Sequence, residues 1–178
     1  AWLAAARPSP DEARSSCADL VRSALGQTLF SGPELDLNAY YVMALNADAT
    51  ITVVDPLFGF GGTKLLAIIA LESPGEDWAL TSDQNRLLVS MPGANRVAAI
   101  DTRSWAVVTN IDVGPSPSRM TLQPDEAYAW VAYAADDKAG VASGVAVLDV
   151  RTLKVVARIA TGRGAHQMAF SDDNRFAF

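Results

Sequence analysis

Histidine and cysteine each occur once in this chain, at His166 and Cys17. An imidazole ordinarily changes charge near neutrality, which suits His166 to acid–base work or to ligating a cofactor. A solitary histidine excludes paired-histidine metal motifs such as H-E-x-x-H. A solitary cysteine excludes an internal disulfide, a C-x-x-C-H haem attachment and a Cys-rich zinc site. The carboxylates are more regular. Asp55, Asp101 and Asp149 each close an apolar run, and Asp83, Asp125 and Asp173 each sit in a polar turn. A catalytic pair would have to converge on one reacting bond. Aspartates that end equivalent strands do not converge, so they read as turn caps that accept backbone N–H groups. The Gly-rich stretch GFGGTK at 59–64 lacks the G-x-x-x-x-G-K-[ST] spacing of a phosphate loop, and the strand-like LLAIIAL follows it instead of a helix pattern. With Phe58 and Phe60 it forms an aromatic tip of the kind that touches a partner.

The elements that must position these residues repeat. WALTSDQNRLLVS from Trp78, MTLQPDEAYAWVA from Met120 and MAFSDDNRFAF from Met168 align without gaps, and their turn aspartates are 42 and 48 residues apart. Ile69, Ile111 and Ile159 mark a second landmark, again 42 and 48 apart. The irregularities fall between strands, as the polar, Gly-rich ADDKAGVASG and as PLFGFGGTK. The first reads as a long hairpin tip. Within a unit, RVAAIDT, GVAVLDV, AVVTNIDV and KVVARIA alternate with the period of two that strands demand. Turn signals at Pro92, Asp101, Gly114 and Pro124 separate them. Four short strands per unit of this size is one propeller blade. The fold expected is therefore all-β, a partial β-propeller of four-stranded antiparallel blades. Met168 aligns with Met120 and Trp78 and reads as a repeated core position.

Bulk composition narrows the function. Half of the 178 residues are hydrophobic and 19% are charged, a globular composition. The net charge is −6 and the fourteen basic residues are scattered, which excludes the cationic footprint of a nucleic-acid binder. No apolar run approaches the roughly 20 residues of a transmembrane helix.

The residues MAFSDDNRFAF, GVAVLDVRTLKVVARIATGRGAH and RVAAIDTRSWAVVTNIDVGPSP resemble the YVTN family of β-propeller repeats over about residues 39–178. Related propellers occur in haem d1 domains, quinoprotein amine dehydrogenase subunits and lactonases. The Y-V-x-N strand reads LLVSM and AWVAY here, and the P-H position reads Ala165–His166 in one unit and Pro117–Ser118 in another. The resemblance places His166 where a blade enters its innermost strand, near the central channel, at the register that Ser118 and Glu76 hold in earlier units. Glu76, Arg119 and His166 would then share one rim and form the candidate cofactor-binding set. In a haem d1-like protein His166 would be an axial ligand or acid–base group; the competing reading is a turn histidine bonded to backbone. No nucleophile–base–orienter set follows from the spacing, so no catalytic residues and no metal ligands are assigned.

The expected organisation is an N-terminal helix and irregular arm over 1–38, then an incomplete propeller over 39–178, with units at 40–71, 78–113, 119–160 and the start of another at 166–178. In SPDEARSSCADLVRSALG, Ser9 caps a helix over 10–25, Pro10 opens it and Glu12 completes a capping box. Cys17 lies on its apolar stripe and reads as core. An open blade face that leaves roughly six apolar side chains in water forfeits on the order of 10 kcal/mol, comparable to the about 5–15 kcal/mol stability of a whole domain. Further blades are therefore expected to complete the ring, from a continuing chain, another copy or another protein. Ala4-x-Ala6 before Arg7 fits a signal-peptide cleavage site, and with it a periplasmic or secreted location. The leading functional expectation is an extracytoplasmic binding or scaffold module rather than an enzyme. Its alternatives are an oxidoreductase or electron-transfer subunit with a haem d1-like cofactor and, third, a lactonase-like hydrolase.

Overall fold

A computed structural model describes residues 41–59, 62–136, 138, 140–162, 167–171 and 173–178. The expected helix over 10–25, the arm and His166 lie outside the described residues. The strands are β1 (Val42–Leu45), β2 (Thr50–Gly59), β3 (Gly62–Ala70), β4 (Trp78–Leu80), β5 (Arg86–Met91), β6 (Arg96–Asp101), β7 (Ala106–Asp112), β8 (Pro117–Leu122), β9 (Tyr128–Tyr133), β10 (Gly144–Asp149) and β11 (Lys154–Ala160). They form three antiparallel meanders: β1-β2-β3, β4-β5-β6-β7 and β8-β9-β10-β11. Strand β4 is the inner strand of the central blade and meets β8 of the next blade, while β7 meets β3 on one side and β11 on the other. Inner strands touch inner strands and outer strands touch outer strands, the wedge geometry of a partial propeller.

The central blade is buried on both faces, and its sequence explains how. Along β5 the residues Leu87, Val89 and Met91 pack toward the three-stranded sheet with Ile51, Val53 and Ile69. Leu88, between them, packs the other way, with Met120, Val131 and Leu148. Strand β6 alternates likewise: Ala98 and Ile100 join the first core, Val97 and Ala99 the second. Because successive side chains leave opposite faces of a strand, near-continuous apolar runs such as RLLVSM and RVAAID supply two cores at once.

A third interface begins beyond β9. Phe170 bridges Ala177 in the register by which Leu122 faces Ala129, and the Trp130 and Phe170 rings meet edge to face at 5.3 Å. The insertions extend hairpins. Gly59 pairs with Gly62, so the β2–β3 ladder extends into the Gly-rich insertion; Phe60, part of the expected aromatic tip, lies outside the described residues. Asp136 pairs with Val141 inside ADDKAGVASG, as a hairpin tip should.

One packing detail explains two glycines. The Tyr133 ring is buried against Gly114, where an added Cβ would lie 2.9 Å from the ring, and against Gly144, where it would lie 2.7 Å from the phenolic oxygen and 2.3 Å from the Ile159 carbonyl.

Candidate functional site

Each blade has an inlet end, where the chain enters the inner strand, and a turn end, where the β4–β5 and β6–β7 turns lie. The inlet end of the central blade is locked to its neighbour by two residues. Asp77 Oδ1 accepts the Trp78 N–H at 3.0 Å and Oδ2 accepts the Met120 N–H of the next blade at 2.9 Å. Ser90 is fully buried. Its Oγ accepts the Asp77 N–H at 3.0 Å and donates to the Ser118 carbonyl at 2.7 Å. The Ser90 N–H donates to the Asp77 carbonyl at 2.8 Å, and the Ser90 carbonyl accepts the Glu76 N–H at 3.0 Å. The hydroxyl satisfies the Ser118 carbonyl, which the bulge in β8 between Pro117 and Met120 releases from the ladder.

This lock brings two of the three expected rim residues to the same end. Glu76 and Arg119 are both exposed, and each stands one residue from a partner of the Asp77–Met120 hydrogen bond. His166 lies outside the described residues. Its neighbours Gln167 and Met168 line a cleft of about 410 Å3 with Trp130, Val145, Ile159 and Thr161. Asp77, next to Glu76, is engaged by two backbone N–H groups. Ser90 carries no sequence signal: it is a polar residue in the apolar run LLVSM, and only the arrival of β8 gives its hydroxyl a purpose.

The turn end is where the repeated aspartates sit. Asp101 Oδ1 accepts the N–H groups of Arg103 and Ser104 at 2.8 and 3.0 Å. Asp149 Oδ1 accepts those of Arg151 and Thr152 at 3.0 and 2.7 Å. These bonds, Ser104 first in one and Thr152 first in the other, hold both carboxyls below the usual range. The Thr81 hydroxyl, then the Asn85 N–H and side-chain amide, lower Asp83 to about 2. The Ser171 hydroxyl and the Arg175 N–H lower Asp173. These residues cap turns, as their spacing predicts, and form no dyad. Gln84, Glu126 and Asn174 follow the turn aspartates with φ of 56°, 55° and 57°, the left-handed region that favours glycine. Glu126 reaches across to the central blade, where its carboxylate accepts the Ser82 N–H and hydroxyl at 2.9 Å each.

Among the described residues no group of three or more His, Cys, Asp or Glu side chains is placed to hold a metal ion. No helix among them is long and apolar enough to cross a membrane.

The fold has relatives among solved structures. Hydrazine synthase of Kuenenia stuttgartiensis superposes with a TM-score of 0.58 at 19% identity, over 84% of this chain and 44% of that one. The dihydro-heme d1 dehydrogenase NirN in complex with DHE gives 0.57 at 17%, over 71% and 28%. AztD of Citrobacter koseri gives 0.54 at 15%, over 70% and 33%. The chain thus spans less than half the length of each, and the likeness is one of fold. No curated protein matches the sequence. Residues 62–178 match the family described as the cytochrome D1 heme domain. That match takes in the β3 hairpin arm, both four-stranded blades and the hairpin that ends at Phe178, so the chain belongs to the cytochrome D1 heme domain family.

Proposed function

We propose that this chain is part of a ring-shaped, haem-binding propeller that works as an extracytoplasmic binding module, with Glu76, Arg119 and His166 at the inlet end as its ligand-facing residues. The observation that carries the reading is the Asp77–Met120 hydrogen bond of 2.9 Å. It couples the inner strands of two blades one residue away from Glu76 and from Arg119, which supports a shared rim for them. Arg119 forms no ion pair or hydrogen bond among the described residues, so its guanidinium is available to the carboxylates that a haem carries at its edge. His166, at the register that Ser118 holds one blade earlier, would offer an imidazole nitrogen to the metal. The donor set therefore fits a carboxylate-bearing macrocycle. When bound, such a group supplies ligand or electron chemistry. The chain's own residues orient it: Arg119 fixes the carboxylate edge, Glu76 places one negative charge beside it, and the Asp77–Ser90 lock keeps both inner strands in register.

A second reading is an oxidoreductase or electron-transfer subunit, favoured by the cytochrome D1 match over 62–178. It uses the same residues. In both readings further blades complete the ring.

The test is the visible spectrum of the parent protein reconstituted with a d1-type haem or with haem b. Saturable binding with a shifted Soret band is expected. R119A should weaken it by roughly 10–100-fold, as loss of a charge-assisted hydrogen bond of about 1.5–3 kcal/mol implies. H166A should change the band positions. Absence of any bound chromophore overturns the haem reading. Identical titrations of wild type, R119A and E76Q overturn the rim assignment. Reduction and reoxidation of the bound haem by a redox dye without turnover of a substrate supports the binding-module reading over the enzymatic one.

A further inference from the structure

We propose a second ligand site at the turn end, between β1 and the central blade, that takes a small aromatic or apolar molecule bearing a carboxylate. The cleft there holds about 450 Å3, within the roughly 300–1,000 Å3 of small-molecule pockets. Its apolar walls are Trp105 and Tyr41, with ring centroids 5.7 Å apart edge to face, over Met43 and Leu80. Tyr41 and Leu80 are 51% and 38% exposed, large apolar surface left open in an otherwise tightly packed interface.

The polar side supplies an oriented cation. Arg103 Nε donates to Asn85 Oδ1 at 2.9 Å. Asn85 is itself held, since its amide nitrogen and its N–H donate to the Asp83 carboxylate at 2.8 and 3.0 Å. Fixing Nε leaves the two terminal nitrogens of the guanidinium without a hydrogen-bond partner among the described residues. That end of the fork can grip a carboxylate end-on through two parallel bonds. A flat apolar body against Trp105 and Tyr41 with an anionic end at Arg103 satisfies both sides of the cleft.

The repeat itself does not require this set. The equivalent turn of the next blade carries Arg151 and Leu153, but has Ala127 at the position of Asn85. There the arginine has no amide to orient it and no indole beside it. The clamp therefore belongs to this junction of blades rather than to the blade pattern. It lies at the opposite end of the wedge from Glu76 and Arg119, and it stands whether or not the haem reading does.

The experiment is a titration of the purified parent protein with indole-3-acetate and with its neutral analogue tryptophol, followed by calorimetry and by chemical-shift changes at Arg103 and Trp105. The carboxylate is expected to bind saturably and at least about tenfold more tightly than the alcohol. R103Q should bring that ratio to about one with the melting temperature unchanged, and N85A should reduce it severalfold by releasing the guanidinium. W105G, at a position whose φ of 53° suits glycine, should weaken both compounds. No saturable binding of either compound at millimolar concentration overturns the proposal. So does discrimination that survives R103Q, or inorganic phosphate competing as strongly as indole-3-acetate.

Discussion

The Glu126 carboxylate accepts both the backbone N–H and the hydroxyl of Ser82 in the adjacent blade, each at 2.9 Å. It does so from a backbone with φ of 55°, where a side chain costs on the order of 1 kcal/mol. A residue in an unfavourable conformation is retained where it makes a bond that glycine cannot.

Glu126 variants separate the two terms. E126A should lose both the bond and some stability, while E126G loses the bond but relieves the backbone. The two should differ by about 1 kcal/mol in favour of glycine. A double-mutant cycle with S82A should give a coupling of about 0.5–1 kcal/mol in urea unfolding. Equal stability of E126A and E126G would show that the left-handed turn carries no strain.

Ser90 sits at the other end of the same blade junction. S90A leaves the Ser118 carbonyl and the Asp77 N–H without their partner beside a fully buried position. The expected loss is about 1–3 kcal/mol, the cost of burying an unsatisfied polar group. Amide exchange of Ser118, Arg119 and Met120 should accelerate more than that of β6. A uniform change across the blade would mean that Ser90 stabilises packing rather than the junction.

Gly144 and Gly140 make a matched pair. An added Cβ at Gly144 meets the Ile159 carbonyl at 2.3 Å, whereas at Gly140 it meets nothing within 4 Å. G144A should cost about 3 kcal/mol or more, since the obstacle is backbone in the adjacent strand of the same sheet. G140A, at φ of 68°, should cost only about 1 kcal/mol. Truncating Tyr133 should not rescue G144A, because the carbonyl remains. Thermal melts of the three variants decide this.

Acid stability follows from the turn aspartates. Asp83 titrates at about 2 in the fold against 3.8 in a free chain, with the Thr81 hydroxyl as its largest cause. A carboxyl lowered on folding contributes stability that is fully present above the unfolded value and lost as pH falls through the folded one. Asp101, Asp149 and Asp173 are shifted in the same direction. Urea midpoints should therefore fall between about pH 4 and pH 2. In D83N that slope should be shallower, with Asn replacing the titrating group. A midpoint flat across that window would mean that the turn bonds are absent in solution.

The repeat made the blades legible before any coordinates. Strand alternation is a local property, so RLLVSM and RVAAID announce their two buried faces. The same holds for Asp101 and Asp149, which bond to N–H groups two and three residues on and need only their own turn. Glu76 shares its register with Ser118 and His166, which is the sequence feature behind the rim proposed above.

What the sequence alone could not decide are the bonds between blades. Ser90 to Ser118, Asp77 to Met120 and Glu126 to Ser82 join residues 28, 43 and 44 positions apart. No periodicity marks them, because each depends on how two sheets twist and settle against one another. The Arg103–Asn85 clamp lies within one blade but on two different turns, and the turn end of the folded blade sets their distance. The amino-acid order determined which faces are apolar, where the turns fall and that blades repeat. Only the tertiary structure decided which polar groups meet across the seams, since that requires the relative placement of whole blades.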